Sequence, residues 1–489
     1  MSLTAGWAAR WAAEPEHVVL VDAATGATVS AGELAARTAT AARRLHAAGV
    51  RPGDRVLLSC AQSLDTVVGY AAILRLCAVV VPANTAYTSG ELGHIVSDVR
   101  PVLGLLDDPE RAPGLPLGAH RVDLATLPAA AERPDHAQRL DAAADADPAM
   151  VAYTSGTTGR PKGAVLSHGN LRAGAEALVE AWGWTPDDRL VHALPMFHIH
   201  GLGAAINGSL TAGASMAVLP RFDPAAVVDA VSAYDATMFF GVPTMYARLR
   251  DTGHLPALSG LRLLVSGSAP LDPVLFQAIS AQTGQSPIER YGMSETVMLT
   301  SNPLHGERRA GSVGLPLPGV QVRLGEGDGV EVTGPNVFDG YWERPEATAE
   351  VFTADGWFRT GDIGAFDADG YLRLVGRASD LIITGGYNVY PREVEDAVLE
   401  HPDVVDVAVV GIPDETWGET VVAYVVLRAD LAADPDPAEW IGDTLAAHVE
   451  PRLAAYKRPR RWTVVRELPR NAMGKVRRDL LREQGMMSP

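Results

Sequence analysis

Apolar residues along this chain occur in short runs that alternate with amphipathic segments. Residues 30–49 place apolar side chains at helical spacing between a Ser-Ala-Gly-Glu start and Gly49, which predicts a capped helix. Residues 55–59 follow a Pro-Gly turn and are mostly apolar, which predicts a strand. The apolar stretch at 67–81 is interrupted by Arg75 and predicts a helix leading into a buried strand, not a membrane span. Strands alternating with helices in this way predict an α/β fold with a parallel sheet.

The later part of the chain departs from this regular alternation. Residues 238–243 still predict a buried strand, but residues 306–341 are rich in glycine and proline and predict a β-rich subdomain. We place the domain boundary at residues 378–380. The predicted fold class is therefore α/β, with a large N-terminal domain at 1–377 and a small mobile α+β C-terminal domain at 378–489. The large domain is expected to combine layered αβ sheets with the β-rich subdomain.

The composition narrows the class of protein. With 489 residues, of which 47% are hydrophobic, the chain is long enough for about two to four globular domains. Its net charge of −18 argues against nucleic acid or a membrane surface as a partner, so an anion site must be built locally. The N-terminal segment lacks a basic start followed by an apolar core, and we predict a cytoplasmic protein. Cys60 and Cys77 stand in apolar segments and are expected in the core.

The segment at 153–163 is the most distinctive chemically. It follows an apolar run and reads Tyr-Thr-Ser-Gly-Thr-Thr-Gly-Arg-Pro-Lys-Gly. Glycines let successive backbone N–H groups turn toward one point, while hydroxyls and cations add donors and charge. The spacing of the ordinary phosphate loop is absent, because Pro161 stands where its second glycine is needed. The segment predicts a polyphosphate site, with a solvated linker as the alternative.

Two further segments carry side chains suited to a nucleotide. A predicted strand at 261–265 is followed by Ser-Gly-Ser-Ala-Pro, and α/β folds place nucleotides where a strand ends in small residues. In residues 288–296, Tyr291 offers a stacking face and Glu295 a hard-oxygen ligand for Mg²⁺. Ser294 and Thr296 add hydroxyls that can contact phosphate. Taken singly, each of these residues fits a structural role equally well.

His198 and His200 stand two residues apart in an apolar segment, and three interpretations are open. They are metal ligands, packed core residues, or a wall of a substrate pocket. A metal site is disfavoured because no Cys, Asp or Glu lies nearby in the sequence. We favour the pocket wall.

Five separated blocks resemble, in order, the core motifs of the adenylate-forming superfamily, which includes acyl-CoA synthetases, luciferases and peptide-synthetase adenylation domains. The blocks are the loop at 153–163, Tyr291-Gly-Met-Ser-Glu-Thr296, Tyr341 with Thr360-Gly-Asp362, Gly376-Arg377, and Pro469 with Gly474-Lys475. They are spread over most of the sequence, so the resemblance covers nearly the whole chain. It implies a large N-terminal domain and a small domain that moves during the reaction.

The resemblance implies that the chain binds ATP, Mg²⁺ and coenzyme A. The implied ATP- and AMP-binding residues are Thr154, Ser155, Gly156, Thr157, Thr158, Lys162, Gly267, Ser268, Ala269, Pro270, Glu289, Tyr291, Gly292, Met293, Ser294, Asp362 and Arg377. Lys475, Glu295 and Thr154 are the implied catalytic residues, with Glu295 as the Mg²⁺ ligand. The implied hinge residues are Ser379 and Asp380, and the implied CoA-binding residues are Gly385, Gly386 and Tyr387. Relatives often carry Asp or Lys where Ser379 stands, which leaves the pivot residue open.

The implied reaction has two steps. A carboxylate attacks the α-phosphorus of ATP, and coenzyme A then takes the acyl group from the adenylate. Because the nucleophile is already anionic, the chain's task is positioning and charge neutralisation, to which Lys475 contributes. Lys475 is expected on an exposed loop, where a lysine acetyltransferase could remove its charge.

The acid is predicted from a second resemblance. The segments at 196–201, 266–269 and 289–295 are most similar to those of malonyl-CoA synthetases. In relatives the position of Arg290 lies near the acyl pocket. A buried guanidinium is costly unless it is paired, and the distal carboxylate of a dicarboxylate would pair with it bidentately. The alternative is that Arg290 pairs with Glu289 or a phosphate. The acyl-pocket candidates are His198, Ser266, Ser268, Arg290 and Arg248.

The predicted function is an AMP-forming ligase that joins malonate, or methylmalonate, to coenzyme A. The first alternative is a short-chain or aryl monocarboxylate–CoA ligase. The second is a stand-alone adenylation domain that loads a carrier protein. A nucleotide-binding protein without activity is disfavoured, because Lys162, Glu295, Asp362 and Lys475 occur together.

Overall fold

The structure is a computed structural model that describes residues 2–123, 127, 139–154, 161–428, 431, 437–471 and 474–487. Side chains are described throughout these ranges except at residues 154 and 437–441. The chain forms two compact units. The first comprises Met1–Val322 with Val332–Phe358, and the second comprises Arg323–Glu331 with Arg359–Pro489.

The described helices follow in chain order. They are α1 (Leu3–Ala13), α2 (Ala31–Ala47), α3 (Leu64–Arg75), α4 (Ser89–Val99), α5 (His168–Ala181), α6 (Asn207–Ala212), α7 (Pro224–Ala233), α8 (Pro243–Asp251), α9 (Pro273–Thr283), α10 (Pro345–Val351), α11 (Pro391–Leu399), α12 (Pro437–Val449) and α13 (Arg478–Met487). A π-helical turn at His200–Ile206 leads directly into α6.

The described strands range from two to eleven residues in length. They are β1 (Val18–Asp22), β2 (Thr28–Ser30), β3 (Arg55–Ser59), β4 (Val79–Pro82), β5 (Leu103–Leu106), β6 (Ala119–His120), β7 (Pro148–Thr154), β8 (Lys162–Ser167), β9 (Arg189–His192), β10 (Ser215–Val218), β11 (Met238–Gly241), β12 (Leu263–Ser266), β13 (Ile288–Tyr291), β14 (Thr300–Ser301), β15 (Leu315–Pro316), β16 (Gln321–Leu324), β17 (Gly329–Thr333), β18 (Gly340–Tyr341), β19 (Phe358–Phe366), β20 (Leu372–Arg377), β21 (Ile382–Thr384), β22 (Tyr387–Val389), β23 (Val404–Asp414), β24 (Gly418–Leu427) and β25 (Arg461–Val464).

Two mainly parallel sheets with helices form the first unit. Among the described residues, one sheet has the strand order β15-β14-β13-β12-β11-β9-β10-β1-β2, and the other has the order β18-β8-β7-β4-β3-β5-β6. Pairs such as β11–β12, β12–β13 and β3–β4 are parallel, as expected for strands joined by helical crossovers. The predicted α/β class is confirmed.

Local signals in the sequence were accurate in the first unit. Helix α2 begins after Ser30, whose hydroxyl accepts from the Glu33 N–H while the Glu33 carboxylate accepts from the Ser30 N–H. Strand β3 has the predicted bounds. Cys60 is buried as expected, whereas Cys77 is half-buried. Within the described residues, no helix is long and apolar enough to cross a bilayer.

Strands β12 and β13 bring two predicted nucleotide segments to one edge of the larger sheet. They are parallel neighbours, with Ser266 opposite Glu289. Because parallel strands end at the same edge, residues 266–270 and 290–296 leave the sheet side by side. Strand β9, which ends at His192, reaches the same edge through its pairing with β11.

The second unit contains an antiparallel hairpin of β23 and β24. Strands β21, β22 and β25 extend it to five strands among the described residues. A core rich in valine lies between this sheet and helices α11 and α12. Packing groups residues 359–377 with this unit, because β19 pairs with β20 and α11 packs on β20. The predicted functional boundary after residue 377 stays a prediction.

Candidate active site

Arg290 lies in β13, at the edge where the larger sheet meets the segment from 266 to 270. Its side chain is only 4% exposed. The guanidinium packs directly on Gly267, where an added Cβ atom would lie 2.4 Å from Arg290 Cζ. Any other residue at position 267 would displace the guanidinium. The sequence identified both residues but gave no sign of this contact.

The guanidinium of Arg290 is incompletely paired. Its Nε and Nη2 atoms are buried and have no hydrogen-bond partner among the described residues. Burial lowers the pKa of Arg290 to about 9. Glu289 is adjacent in sequence but its side chain leaves the strand on the opposite face, where Oε1 accepts from the Leu271 N–H at 3.0 Å. No ion pair joins Glu289 to Arg290 in the described structure, so pairing with Glu289 is wrong, and pairing of Arg290 with a phosphate stays open.

Buried His200 lies near enough to Arg290 for the guanidinium charge to act on its imidazole. His200 Nδ1 lies 3.2 Å from Ser268 Oγ, and His198 Nδ1 accepts from the His200 N–H at 3.2 Å. Burial holds the pKa of His200 well below its usual value, and the positive charge of Arg290 lowers it further. Burial alone lowers the pKa of His192 to about 4. A histidine side chain is neutral or cationic, so neither residue can supply a counterion to Arg290.

The remaining acyl-pocket candidates divide into two groups. Ser266 ends β12 with a buried hydroxyl that has no partner among the described residues, and Ser268 adopts a φ of +72° beside His200. Arg248 is exposed on α8, with its guanidinium 5.2 Å from the centroid of the Phe222 ring. The contacts described for Arg248 do not include Arg290. His192 was missed as a pocket candidate, although it ends an apolar run, whereas His200 was considered with His198 as part of a pocket wall.

Glu295 and Lys162 share a neighbour in Tyr341. The Glu295 side chain is 4% exposed, and its Oε1 accepts a hydrogen bond from the Tyr341 O–H at 3.0 Å. The Lys162 Nζ lies 5.2 Å from the centroid of the Tyr341 ring. The sequence placed all three residues in motifs but did not show that they meet.

The loop before Lys162 is described only at its ends. Thr154 and Lys162 are paired in the antiparallel hairpin of β7 and β8, which closes the base of the loop. The predicted phosphate contacts Ser155, Gly156, Thr157 and Thr158 lie outside the described residues. Their roles, and that of the Thr154 side chain, stay predictions.

The turn after β13 carries the predicted adenine and phosphate contacts. Tyr291 is 8% exposed, and an added Cβ at Gly292 would lie 2.3 Å from the Val297 carbonyl oxygen. The Met293 N–H donates to Thr296 Oγ1 at 3.3 Å, which gives this hydroxyl a structural role in the turn. Met293 and Ser294 in this turn are half-buried. Ser268 and Ala269, which follow the neighbouring strand β12, are also half-buried. Pro270 is exposed.

In the second unit, Asp362 and Arg377, two of the predicted ATP- and AMP-binding residues, form an ion pair. They are opposite each other in the β19–β20 ladder, with Arg377 Nε 3.1 Å from Asp362 Oδ1. The Asp362 N–H donates to Thr360 Oγ1, whose hydroxyl donates to the Val330 carbonyl. A short helical turn at Ala378–Asp380 follows β20 and contains the predicted hinge residues. Asp380 is the last residue of this turn, and its Oδ1 lies 3.7 Å from Nη2 of Arg482 in α13.

The predicted CoA loop and Lys475 are exposed features of the same unit. Gly385 and Gly386 have φ values of +56° and +80°, which glycine adopts at little cost. Tyr387 is 58% exposed and stacks on Tyr456, with ring centroids 4.5 Å apart. Lys475 is exposed in a turn in which its N–H donates to Asn471 Oδ1 at 3.0 Å.

Comparison with known protein families assigns the chain to one of them. A model of the AMP-binding enzyme family matches residues 7–342, and a model of the AMP-binding enzyme C-terminal domain matches residues 393–475. The chain belongs to the AMP-binding enzyme family. The resemblance inferred from five motifs is confirmed, and the chain is an AMP-forming acid–CoA ligase by class.

Several individual AMP-binding enzymes are similar over most of their length. A mitochondrial malonate–CoA ligase of Bos taurus is 36% identical over 486 residues, which cover 88% of this chain and 81% of the relative. A feruloyl-CoA synthase of Amycolatopsis sp is 37% identical over 493 residues, 96% of each chain. Relatives at the same level of identity thus carry names with different acids.

Solved structures of AMP-binding enzymes match the fold. ATP-bound MatB from Rhodopseudomonas palustris gives a TM-score of 0.90 at 40% identity, over 100% of this chain and 99% of that chain. A malonyl-CoA ligase in a ternary product complex with methylmalonyl-CoA and AMP gives a TM-score of 0.66 at 43% identity, over 93% and 97%. The predicted architecture of an adenylate-forming enzyme is confirmed.

The donor set around Glu295 fits Mg²⁺ that arrives with a nucleotide. In the part of the chain that is described, no group of three or more His, Cys, Asp or Glu residues could hold a metal ion. Mg²⁺ keeps several water ligands and is commonly bound by one or two carboxylates together with substrate phosphates. One buried carboxylate, as in Glu295, suits an AMP-binding enzyme whose metal is bound jointly with ATP.

Proposed function

We propose that this AMP-binding enzyme is an ATP-dependent malonate–CoA ligase that works through a malonyl-adenylate and releases AMP and pyrophosphate. The observation that carries the choice of acid is the incompletely paired guanidinium of Arg290. The similar malonate–CoA ligases support the same choice. Methylmalonate has the same two carboxylates and is the second acid proposed.

A buried, uncompensated charge costs several kcal/mol, on the order of 3–5 when one partner of an ion pair is missing. A distal carboxylate would remove that cost by accepting two parallel hydrogen bonds from one guanidinium. Nε and Nη2 of Arg290, the atoms without a partner among the described residues, are one edge of such a fork. The neighbouring His200 side chain cannot substitute for this anion, because an imidazole is neutral or cationic.

The reaction is derived from the roles proposed for the chain's residues. The proximal carboxylate oxygen bonds to the α-phosphorus of ATP, and the bond from that phosphorus to the bridging oxygen of pyrophosphate breaks. The thiol of coenzyme A then gives its proton to solvent as its sulfur bonds to the acyl carbon, and the bond from that carbon to the phosphate oxygen breaks to release AMP. Glu295 would hold Mg²⁺, which neutralises phosphate charge when bound. We propose that Lys162 and Lys475 add positive charge to the first step.

The remaining site residues keep their predicted roles as proposals. Asp362 is proposed to bind the ribose hydroxyls, with Arg377 beside it. Ser379 and Asp380 are the proposed hinge, and the loop of Gly385, Gly386 and Tyr387 is proposed to receive coenzyme A. We expect the substitution Asp362→Asn to raise the KM for ATP more than the KM for the acid.

Neither alternative activity is favoured. Ferulate and short-chain monocarboxylates lack a second anion, so they would leave Arg290 buried without a counterion. A carrier protein in place of coenzyme A is not named by the relatives described above. Sequence identity alone does not choose the acid, as the feruloyl-CoA synthase shows, and the choice therefore rests on Arg290.

A substrate panel with pyrophosphate release tests the proposal. We expect malonate to exceed acetate, propionate and ferulate, and Arg290→Met to lower kcat/KM for malonate by about 100- to 4,000-fold, the factor that corresponds to 3–5 kcal/mol. Activity with acetate should change much less, because acetate makes no contact with the guanidinium.

Arg250→Met is the matched control, since Arg250 lies in α8 and pairs only with its exposed neighbour Asp251 among the described contacts. Arg248→Met tests whether Arg248, the second candidate arginine, contributes to kcat/KM for malonate. Acetate or ferulate exceeding malonate would refute the acid, and equal losses for malonate and acetate in Arg290→Met would refute the role of Arg290. If activity with sulfoacetate exceeded activity with malonate, the proposed acid would be wrong, but the proposed binding of a distal anion by Arg290 would stand.

Two further predictions stay open. Lys475 is exposed, as an acetyltransferase substrate must be, and mass spectrometry after incubation with an acetyltransferase and acetyl-CoA would test its modification. A cytoplasmic location stays a prediction, because the bovine relative carries a mitochondrial name.

A further inference from the structure

Tyr341 makes two different contacts with the predicted ATP site. Its phenol O–H donates to Glu295 Oε1 at 3.0 Å, and its ring face lies 5.2 Å from Lys162 Nζ. Glu295 is the proposed metal ligand, and Lys162 follows the predicted phosphate loop. One side chain thus connects the carboxylate and the ammonium group on which the phosphate site depends.

Tyr341 is held in place from both sides. Strand β18 pairs with β8, with Tyr341 opposite Ala164, and the Trp342 N–H donates to the Gly163 carbonyl at 2.8 Å. The ring of Phe338 packs edge-on against Tyr341 with centroids 5.0 Å apart. The Phe338 N–H also donates to the Glu295 carbonyl at 2.8 Å. Backbone pairing and aromatic packing therefore fix the tyrosine relative to both of its charged neighbours.

We propose that Tyr341 is a positioning residue that fixes the Glu295 carboxylate and the Lys162 ammonium before ATP and Mg²⁺ bind. A hydrogen bond to one oxygen restricts rotation of the carboxyl group, and such outer contacts tune metal affinity. An aromatic face attracts an ammonium group and limits the positions of a long lysine side chain. The inference rests on the proposed use of ATP, but not on the identity of the acid.

Two substitutions separate the two contacts. Tyr341→Phe removes the hydroxyl and keeps the ring, whereas Tyr341→Leu removes both. We expect Tyr341→Phe to weaken metal binding to the enzyme–ATP complex by about 10-fold, as loss of an outer contact to a ligand does. ATP affinity without metal should stay unchanged in Tyr341→Phe. It should fall by about 2- to 5-fold in Tyr341→Leu, where the cation–π contact is lost.

Both quantities can be measured without catalysis. Calorimetry gives ATP affinity in the presence of a chelator, and Mn²⁺ titration followed by electron paramagnetic resonance gives metal affinity for the ATP complex. No acid is added, so an error in the proposed acid cannot affect the result. If the proposed use of ATP is wrong, the parent protein itself will not bind ATP.

Tyr70→Phe is the control for loss of a buried tyrosine hydroxyl in the same unit. Tyr70 is buried and donates to Asn207 Oδ1 at 2.9 Å, away from the predicted ATP residues in sequence and in its described contacts. Unchanged Mn²⁺ affinity in Tyr341→Phe would overturn the link to Glu295. Equal metal-free ATP affinity in the Phe and Leu variants would overturn the link to Lys162. Tyr341→Phe keeps the packed ring, so it tests the first link even if Tyr341→Leu is unstable.

Discussion

Arg75 and Arg290 are two buried arginines in the same unit, and their surroundings differ. Arg75 is 7% exposed and Arg290 is 4% exposed. The Arg75 Nε and Nη2 atoms donate to Asp141 at 3.1 and 2.9 Å, and Nη1 donates to the Ala35 carbonyl and Thr38 Oγ1. Arg290 has no carboxylate paired with it in the described structure, and buried His200 lies near it.

The difference distinguishes a structural charge from a binding charge. In both places the chain buries a guanidinium, which is costly without compensation. At Arg75 the fold supplies the counterion, whereas at Arg290 the substrate is proposed to supply it. Burial alone would have ranked the two arginines equally. The unfilled hydrogen-bond donors are what single out Arg290 as the proposed specificity residue.

The largest expected effect is on stability. Arg75→Met should lower the free energy of unfolding of the first unit by about 3–5 kcal/mol, because it leaves Asp141 half-buried without its partner. Arg290→Met should leave the unfolding free energy unchanged or raise it, since it removes an uncompensated charge. Urea unfolding of both variants measures this difference. Equal losses of stability would break the comparison.

Buried His192, at the end of β9, gives the next prediction, which concerns pH. The pKa of His192 is lowered from 6.5 to about 4, so between these pH values the unfolded chain binds a proton that the folded chain does not. The contribution of His192 to the free energy of unfolding is fully present above pH 6.5 and is lost as the pH falls toward 4. This contribution is up to about 3 kcal/mol.

His192→Met removes this titration and serves as the comparison. Unfolding measured by urea at pH 7 and at pH 4.5 should show a smaller loss of stability in the variant than in the parent. The same loss in both proteins would mean that His192 does not remain neutral in the folded state. Arg75 differs from Arg290 in its neighbour, which is the Asp141 carboxylate and not a buried histidine.

The smallest expected effect concerns the space around Arg290. A methyl group at Gly267 would lie 2.4 Å from Arg290 Cζ, so Gly267→Ala must shift the guanidinium. Overpacking of this kind costs about 1–3 kcal/mol, and we expect kcat/KM for malonate to fall by about 10-fold. Gly260→Ala is a control, because an added Cβ there meets nothing within 4 Å. A malonate KM that does not respond to Gly267→Ala would separate Arg290 from acid binding.

Local sequence signals predicted much of the architecture. The capping box of α2, the bounds of β3 and the alternation of strands and helices followed from residues close together in the chain. The motif residues Lys162, Glu295, Asp362 and Lys475 could also be identified, because the chemistry of phosphate and carboxylate binding restricts the residue types. Packing grouped residues 359–377 with the second unit, which the sequence did not predict.

Contacts between distant segments were decided only by the tertiary structure. Tyr341 and Glu295 are 46 residues apart, and their hydrogen bond depends on how β18 pairs with β8. The sequence left open whether Arg290 pairs with Glu289, and strand geometry places the two side chains on opposite faces of β13. The sequence by itself therefore determined the family, the fold class and the candidate residues. Which charges are compensated within the protein, as at Arg75, and which are left for a ligand, as at Arg290, depends on long-range packing that no local pattern encodes.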